Sequence, residues 1–343
     1  MKKLANVLYV TSPEAYLSLD GENVVIKKDE ATSMRLPLHN LENIVCFSYV
    51  GVSPALMGAC AERKLGLSFL TPNGRFLARV SGPVKGNVLL RKKQYALSEK
   101  EEESVPIAAS FLLGKIANCR KVIERALRDH AMLVDVEALN QASAFLKQTL
   151  MVIPDCGTTG DLMGFEGSAA KIYFRVFDQL ILQQREDFTF KERTRRPPLD
   201  NMNSLLSFLY TLLTYEVASA LESVGLDPYV GFLHADRPGR PSLALDMMEE
   251  LRPVFADRLA LSLVNRKQIA GKGFTQKESG GILMDDETRK NVLNAWQKRK
   301  QEEILHPYLK ERIPFGLIPH VQAMLLARHL RGDLDAYPPF FWN

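Results

Sequence analysis

Cysteine is scarce in this chain of 343 residues: there are four, Cys46, Cys60, Cys119 and Cys156, and no two form a C-x-x-C pair. That spacing offers neither a zinc site nor a disulfide framework, and it fits thiols kept reduced in the cytoplasm. Also missing is an uninterrupted apolar run of the roughly 18–20 residues that a membrane span needs. The opening Met1-Lys2-Lys3 has no signal-peptide core behind it, because Asn6 interrupts the short apolar run and strand-like alternation follows. No glycine-rich nucleotide loop of the G-x-G-x-x-G kind is present. Neither charge sign dominates: the formal net charge is +4 and the pI about 8.7. Such a mildly basic balance permits a polyanionic partner without demanding one. What remains is an ordinary globular composition, 46% hydrophobic and 24% charged, in a chain long enough for one large or two moderate domains.

Residues 6 to about 80 are β-rich. Val7-Leu-Tyr-Val, Ala15-Tyr-Leu-Ser-Leu, Asn23-Val-Val-Ile and Glu42-Asn-Ile-Val-Cys-Phe are short runs of β-branched and aromatic residues. Ser12-Pro13, Asp20-Gly21 and Lys28-Asp29 punctuate them, and Asp20-Gly21 predicts a hairpin. Ser53-Pro54 opens a short helix to about Lys64, and Pro72-Asn73-Gly74 turns another hairpin. Between Ser81 and Ser104 the texture changes to a solvated, partly helical linker, with Arg91-Lys-Lys followed by Glu101-Glu-Glu. From Pro106 onward the apolar periodicity is helical. The expected class is therefore α+β, with a small β-rich N-terminal domain (1–82), a linker (83–104) and a larger, mainly α-helical domain (105–343) carrying the candidate catalytic residues.

The densest cluster of chemically useful residues lies in 231–253. Gly231-Phe-Leu delivers His234 to a loop, and Ser242 opens a helix bearing Asp246, Glu249 and Glu250. These acids stand at i, i+3 and i+4 and so share one helical face. An imidazole facing clustered carboxylates suits a hard divalent cation. The same pattern also describes a solvated acidic face beside a satisfied loop histidine. Leu243, Met247, Leu251, Val254, Phe255 and Leu259 mark the buried face, which puts the acids at the rim of a core. Pro253 removes the N–H that would meet the Glu249 carbonyl, predicting a kink that aims the acidic face at His234.

Glu166 falls in or near the first turn of a helix opening at Asp161, among Gly164, Gly167, Ser168, Ala169 and Ala170. Small residues there admit either close approach of a ligand or tight helix packing. Basic side chains are dispersed. Lys115, Arg120, Lys121, Arg125 and Arg128 form a stripe on the helix at 107–128, opposite its apolar face. Arg193, Arg195 and Arg196 crowd the extended segment 191–198, and Arg266 adjoins Lys267. Each group is either a solvated surface or a set of phosphate contacts. His306, His320 and His329 lack carboxylates at ligand spacing and read as structural. The terminal Tyr337-Pro-Pro-Phe-Phe-Trp reads as packed on the domain or on a partner.

Taken together, Met163-Gly-Phe-Glu-Gly-Ser-Ala-Ala, Gly231-Phe-Leu-His and Leu245-Asp-Met-Met-Glu-Glu-Leu-Arg-Pro resemble the CRISPR-associated integrase and endonuclease family, the larger of the two near-universal spacer-acquisition proteins. The resemblance covers essentially the whole chain, with the motifs in the family's order. Arg195-Arg-Pro-Pro-Leu-Asp and Leu325-Leu-Ala-Arg-His-Leu-Arg-Gly-Asp look similar to its type I-C branch. The resemblance implies a DNA enzyme using Mg²⁺ or Mn²⁺, with Glu166, His234 and Glu249 as metal ligands. Asp246 is either a further ligand or a supporting group, and Glu250 is expected to point aside, toward Arg240 or Arg252. A homodimer is implied, in complex with the small partner protein, acting on double-stranded and branched DNA to insert short foreign pieces into a CRISPR array.

Such a site runs in-line displacement at phosphorus, with a DNA 3′-hydroxyl attacking in integration and water in cleavage. His234 serves as ligand or as proton shuttle. Phosphate contacts from Arg193, Arg195, Arg196, Arg266 and Lys267 supply affinity and salt dependence rather than sequence reading. Two other readings use the same residues: a metal-dependent phosphoesterase of a small substrate, and a non-catalytic DNA-binding scaffold. Arginines scattered over several helices argue against the first, since a small ligand needs only a local cluster.

Overall fold

The computed structural model describes residues 6–28, 31–47, 49–63, 65–72, 76–82 and 88–342. These form two compact units, one made of residues up to 85 with 289–302, the other of 86–288 with 303–343.

The first unit holds two four-stranded sheets. Strands β1 (Asn6–Val10), β2 (Tyr16–Asp20), β3 (Asn23–Lys28), β4 (Ala31–Pro37), β5 (Leu41–Phe47) and β6 (Gly51–Val52) precede helix α1 (Pro54–Arg63), and β7 (Gly66–Leu70) and β8 (Phe76–Val80) follow it. One sheet runs β1-β5-β7-β8 and the other β4-β3-β2-β6. The hairpin signal at Asp20-Gly21 is met: β2 and β3 pair antiparallel with Asp20 opposite Asn23, and Gly21 takes φ +55° at the first turn position, where an L side chain is strained. Strands β7 and β8 also pair antiparallel, but the turn expected at Pro72-Asn73-Gly74 lies partly outside the described residues. Leu17, Val24, Leu38, Ile44, Leu56 and Leu67 form the core of this unit. Cys46 and Cys60 are buried with them, and burial pushes their thiols up to about 12 and about 11. All four cysteines are unpaired.

The second unit is helical: α2 (Val88–Ser98), α3 (Glu101–His130), α4 (Val136–Val152), α5 (Thr159–Phe177), α6 (Asn201–Val224), α7 (Ser242–Glu249), α8 (Arg258–Asn265) and α10 (Ile318–Arg331). Helix α9 (Asp286–Gln301) lies mostly in the first unit, where Gln297 Nε2 donates to the Val7 carbonyl at 3.1 Å. Assignment of the whole stretch 105–343 to the helical domain is corrected to that extent.

The expected solvated linker is also corrected. Helix α2 buries Leu90 and Gln94, and the Gln94 amide donates to the carbonyls of Asp227 and Val230 at 2.8 Å each. The acidic run Glu101-Glu-Glu is the first turn of α3, where the helix dipole favours carboxylates. Helix α6 is long and apolar enough to cross a membrane by length and composition, although polar residues interrupt it, and 61% of its apolar window is buried, as in the core helix of a globular unit.

Candidate active site

Helix α7 begins at Ser242 and closes at Glu249, and the chain re-forms as a π-helical turn over Pro253–Asp257 before α8. Regular α-helical hydrogen bonding is therefore interrupted around Pro253, where the N–H is missing. Its three acids are all buried rather than at a rim, and they diverge to three sets of partners.

Asp246 is spent on the His234 segment. Its Oδ2 accepts from the N–H of Phe232 at 2.7 Å and of Leu233 at 3.0 Å, and its Oδ1 accepts from His234 N at 3.0 Å. The ring Nδ1 of His234 lies 2.6 Å from the same Oδ1. A carboxylate cannot donate, so Nδ1 carries the proton and Nε2 keeps the lone pair. Gly231 permits this closeness, since a Cβ there would stand 2.7 Å from Asp246 Oδ2. Both Asp246 oxygens are thus occupied by the His234 segment.

Glu249 turns to two cations. Arg252 Nη1 reaches its Oε1 at 2.6 Å, and Lys115 Nζ from α3 lies 2.7 Å from its Oε2. The Lys115 contact pairs that oxygen, itself buried, with a full positive charge. Burial alone would raise the Glu249 carboxyl, but Arg252 and Lys115 hold it down to about 2.

Lys115 also contacts Glu166 Oε1 on α5, so one ammonium joins both carboxylates. Burial works against the charged Lys115, yet Glu249 and Glu166 outweigh it and raise its pKa. Thr158 caps α5, its Oγ1 accepting from Asp161 N at 3.1 Å, which starts the helix at Thr159 and puts Glu166 two turns inside rather than in the first turn. Beside it Gly164, Gly167 and Ser168 are exposed, and a Cβ on either glycine would meet nothing within 4 Å. Ala169 is buried, so only these three stand clear of helix packing. They leave an open face next to Glu166.

Glu250 is corrected. It points to neither Arg240 nor Arg252 but is buried against the C-terminal segment. It accepts from Tyr337 Oη, from Phe340 N at 2.8 Å and from Gln322 Nε2 at 3.0 Å. That segment packs on the helical unit, with Arg258 stacked 4.0 Å from the Trp342 ring.

Among the proposed phosphate contacts, Arg195, Arg196, Arg266 and Lys267 are exposed. Arg193 is enclosed instead, donating to Asn203 Oδ1 at 2.7 Å and Ser207 Oγ at 3.0 Å against the Tyr210 ring. His306, His320 and His329 each bond a neighbouring group, namely Gln322, Ser223 and the Leu334 carbonyl.

Sequence reasoning missed Lys115 and Arg252 as members of this centre. Lys115 had a signal: it lies four residues from Phe111 and from Cys119, both buried, and so sits on the apolar face of α3 rather than in the basic stripe. Among the described residues no three His, Cys, Asp or Glu side chains stand together ready to hold a metal ion. Lys115 stands between two of the candidates. The donor chemistry nevertheless fits a hard divalent cation: the carboxylates of Glu166 and Glu249 and the imidazole of His234.

Two carboxylates joined by the buried Lys115, with an imidazole oriented by a third carboxylate, define an acid–histidine centre inside a helical unit. The model of the CRISPR-associated protein Cas1 family matches residues 8–298, and the chain belongs to that family. It is 51% identical to the CRISPR-associated endonuclease Cas1 1 of Chlorobaculum tepidum over 343 residues, covering 100% of both chains. It is 54% identical to the CRISPR-associated endonuclease Cas1 2 of Rhodospirillum rubrum, again over 100% of each. In fold it matches a casposase bound to integration product (TM-score 0.84, 21% identity, 98% of this chain and 94% of that one). It also matches a Cas1 protein from Thermotoga maritima (TM-score 0.79, 23% identity, 98% and 100%).

Proposed function

We propose that this chain is a metal-dependent DNA endonuclease and integrase that inserts short foreign DNA into a CRISPR array. The carrying observation is the pairing of Glu166 with Glu249 through Lys115, and of His234 with Asp246 one turn earlier on the Glu249 helix, in a chain over half identical, end to end, to proteins named CRISPR-associated endonucleases. Glu166, His234 Nε2 and Glu249 would hold Mg²⁺ or Mn²⁺. A cation so held would supply Lewis-acid polarisation of the scissile phosphate and stabilisation of the leaving 3′-oxygen. Glu249, with its carboxyl down at about 2, offers an anionic ligand across the neutral range. Asp246 keeps the His234 proton on Nδ1, which presents Nε2 without a tautomer change. Arg252 fixes Glu249 by its Oε1 and lies 5.0 Å from the Tyr210 ring, so the carboxylate stays in one place. In integration a DNA 3′-oxygen forms the new P–O bond as the old P–O bond breaks toward its own 3′-oxygen. In cleavage water takes the attacking role.

Arg195, Arg196, Arg266 and Lys267 supply phosphate contacts. The working assembly is a homodimer joined to the small adaptation partner. A fold shared with part of a chain in a Cas6-RT-Cas1–Cas2 complex (TM-score 0.82, 23% identity, 100% of this chain and 36% of that one) supports the partner-protein half of this reading. Separate alanine replacements of Glu166, His234 and Glu249 test the function on branched and double-stranded DNA with Mn²⁺. The expected result is loss of cleavage and strand transfer with DNA binding retained. Unchanged strand transfer in all three variants overturns the proposal.

A further inference from the structure

The position of Lys115 bears on how such a cation would enter. Its side chain is 8% exposed, and its Nζ touches a carboxylate oxygen of Glu166 and of Glu249, the two acids proposed as ligands. Arg252 occupies the other oxygen of Glu249 and is held against Tyr210, so it takes no part in joining the two acids. Two carboxylates, Lys115 and Arg252 together sum to zero charge. A dication added to that set would face an ammonium a few ångströms away, where repulsion is strong in a partly buried site. A lysine head on a flexible four-carbon stem is the group suited to leave such a contact and return.

We infer that Lys115 is a tethered counter-cation that holds Glu166 and Glu249 together in the metal-free protein and must give up both contacts when a divalent cation is bound. The chain thus carries its own competitor for the metal. This rests on the metal reading proposed above.

The test titrates wild type, Lys115→Met and Glu249→Gln with Mn²⁺ alone after chelator treatment, following bound Mn²⁺ by electron paramagnetic resonance. Lys115→Met is expected to bind about tenfold more tightly than wild type, and Glu249→Gln to lose binding. Equal or weaker binding by a folded Lys115→Met overturns the inference while leaving the metal reading intact. If neither wild type nor Lys115→Met binds Mn²⁺, both fall. Because Lys115→Met leaves buried acids short of a cation and could fold poorly, wild type is also probed by reductive methylation and peptide mass spectrometry. Lys115 is expected to be protected in chelator and modified in saturating Mn²⁺. Equal protection in both conditions, with Mn²⁺ demonstrably bound, overturns the inference.

Discussion

Glu249 and Glu250 adjoin along the chain and serve opposite sides of it. Glu249 meets Arg252 and Lys115 in the polar centre, whereas Glu250 meets Tyr337, Gln322 and the backbone of Phe340. Burial raises the Glu250 carboxyl to about 7 against the pull of those donors, while the cations around Glu249 reverse the same burial and bring it to about 2. The C-terminal segment is therefore anchored one residue from a proposed ligand. Asn118 completes the anchor, donating to the Phe340 carbonyl and accepting from Trp342 N, both at 2.8 Å.

If that anchor is one cooperative unit, Glu250→Ala and deletion of residues 336–343 should damage the same thing. Each is expected to lower unfolding stability by about 2–4 kcal/mol, because buried donors or acceptors lose their partners. Combined, they should cost little more than the larger single change, since the second removes what the first has already broken. Urea unfolding of the two variants and their combination measures this. Full additivity would show that Glu250 does not act through the tail.

Asp246→Asn tests the orientation of His234. An amide can present its NH₂ to Nδ1 and so favours the other imidazole tautomer, with Nε2 protonated. Cleavage is expected to fall by about 10–100-fold, the usual loss for a group that orients a ligand. Nitrogen chemical shifts of the His234 ring should report the tautomer change. A variant with wild-type cleavage would show that Asp246 has only a folding role.

His306 sets a pH dependence. It is fully buried, and burial lowers its pKa from 6.5 to about 4. The folded state therefore binds this proton less readily than the unfolded chain does. The resulting stability is present above pH 6.5 and is lost as pH falls through about 4. The loss amounts to roughly 3 kcal/mol at 1.36 kcal/mol per pH unit. His306→Gln should flatten the acid limb of a stability–pH curve by that amount, and an unchanged limb would contradict it.

The arginines of the 191–198 segment should separate by function. Arg195→Ala with Arg196→Ala is expected to weaken DNA binding and to reduce the salt slope of log K by about two, at roughly 0.9 per phosphate contact. Thermal stability should barely move, since both side chains are exposed. Arg193→Ala should do the reverse, lowering stability through its lost bonds to Asn203 and Ser207 with little change in the salt slope. Binding isotherms at several salt concentrations, beside melting curves, distinguish the two.

Local chemistry alone determined a good deal of this protein. Hairpin residues such as Asp20-Gly21, the Ser53-Pro54 helix start and the helical periodicity after Pro106 reflect short-range sterics and burial, so the α+β division was legible. His234, Asp246 and Glu249 were legible as a cluster because fifteen residues or fewer separate them. Glu166 came only with the family resemblance, since nothing local links it to a helix so far along the chain. Tertiary structure alone decided what each acid does. Helix periodicity puts Asp246, Glu249 and Glu250 on one face, but burial forces every one to find partners, and those come from α3, from the His234 loop and from the C-terminus. A lysine in an apparent basic stripe became the bridge between two carboxylates for the same reason. A charge that is buried must be paired, and which side chain pairs it depends on how distant helices pack.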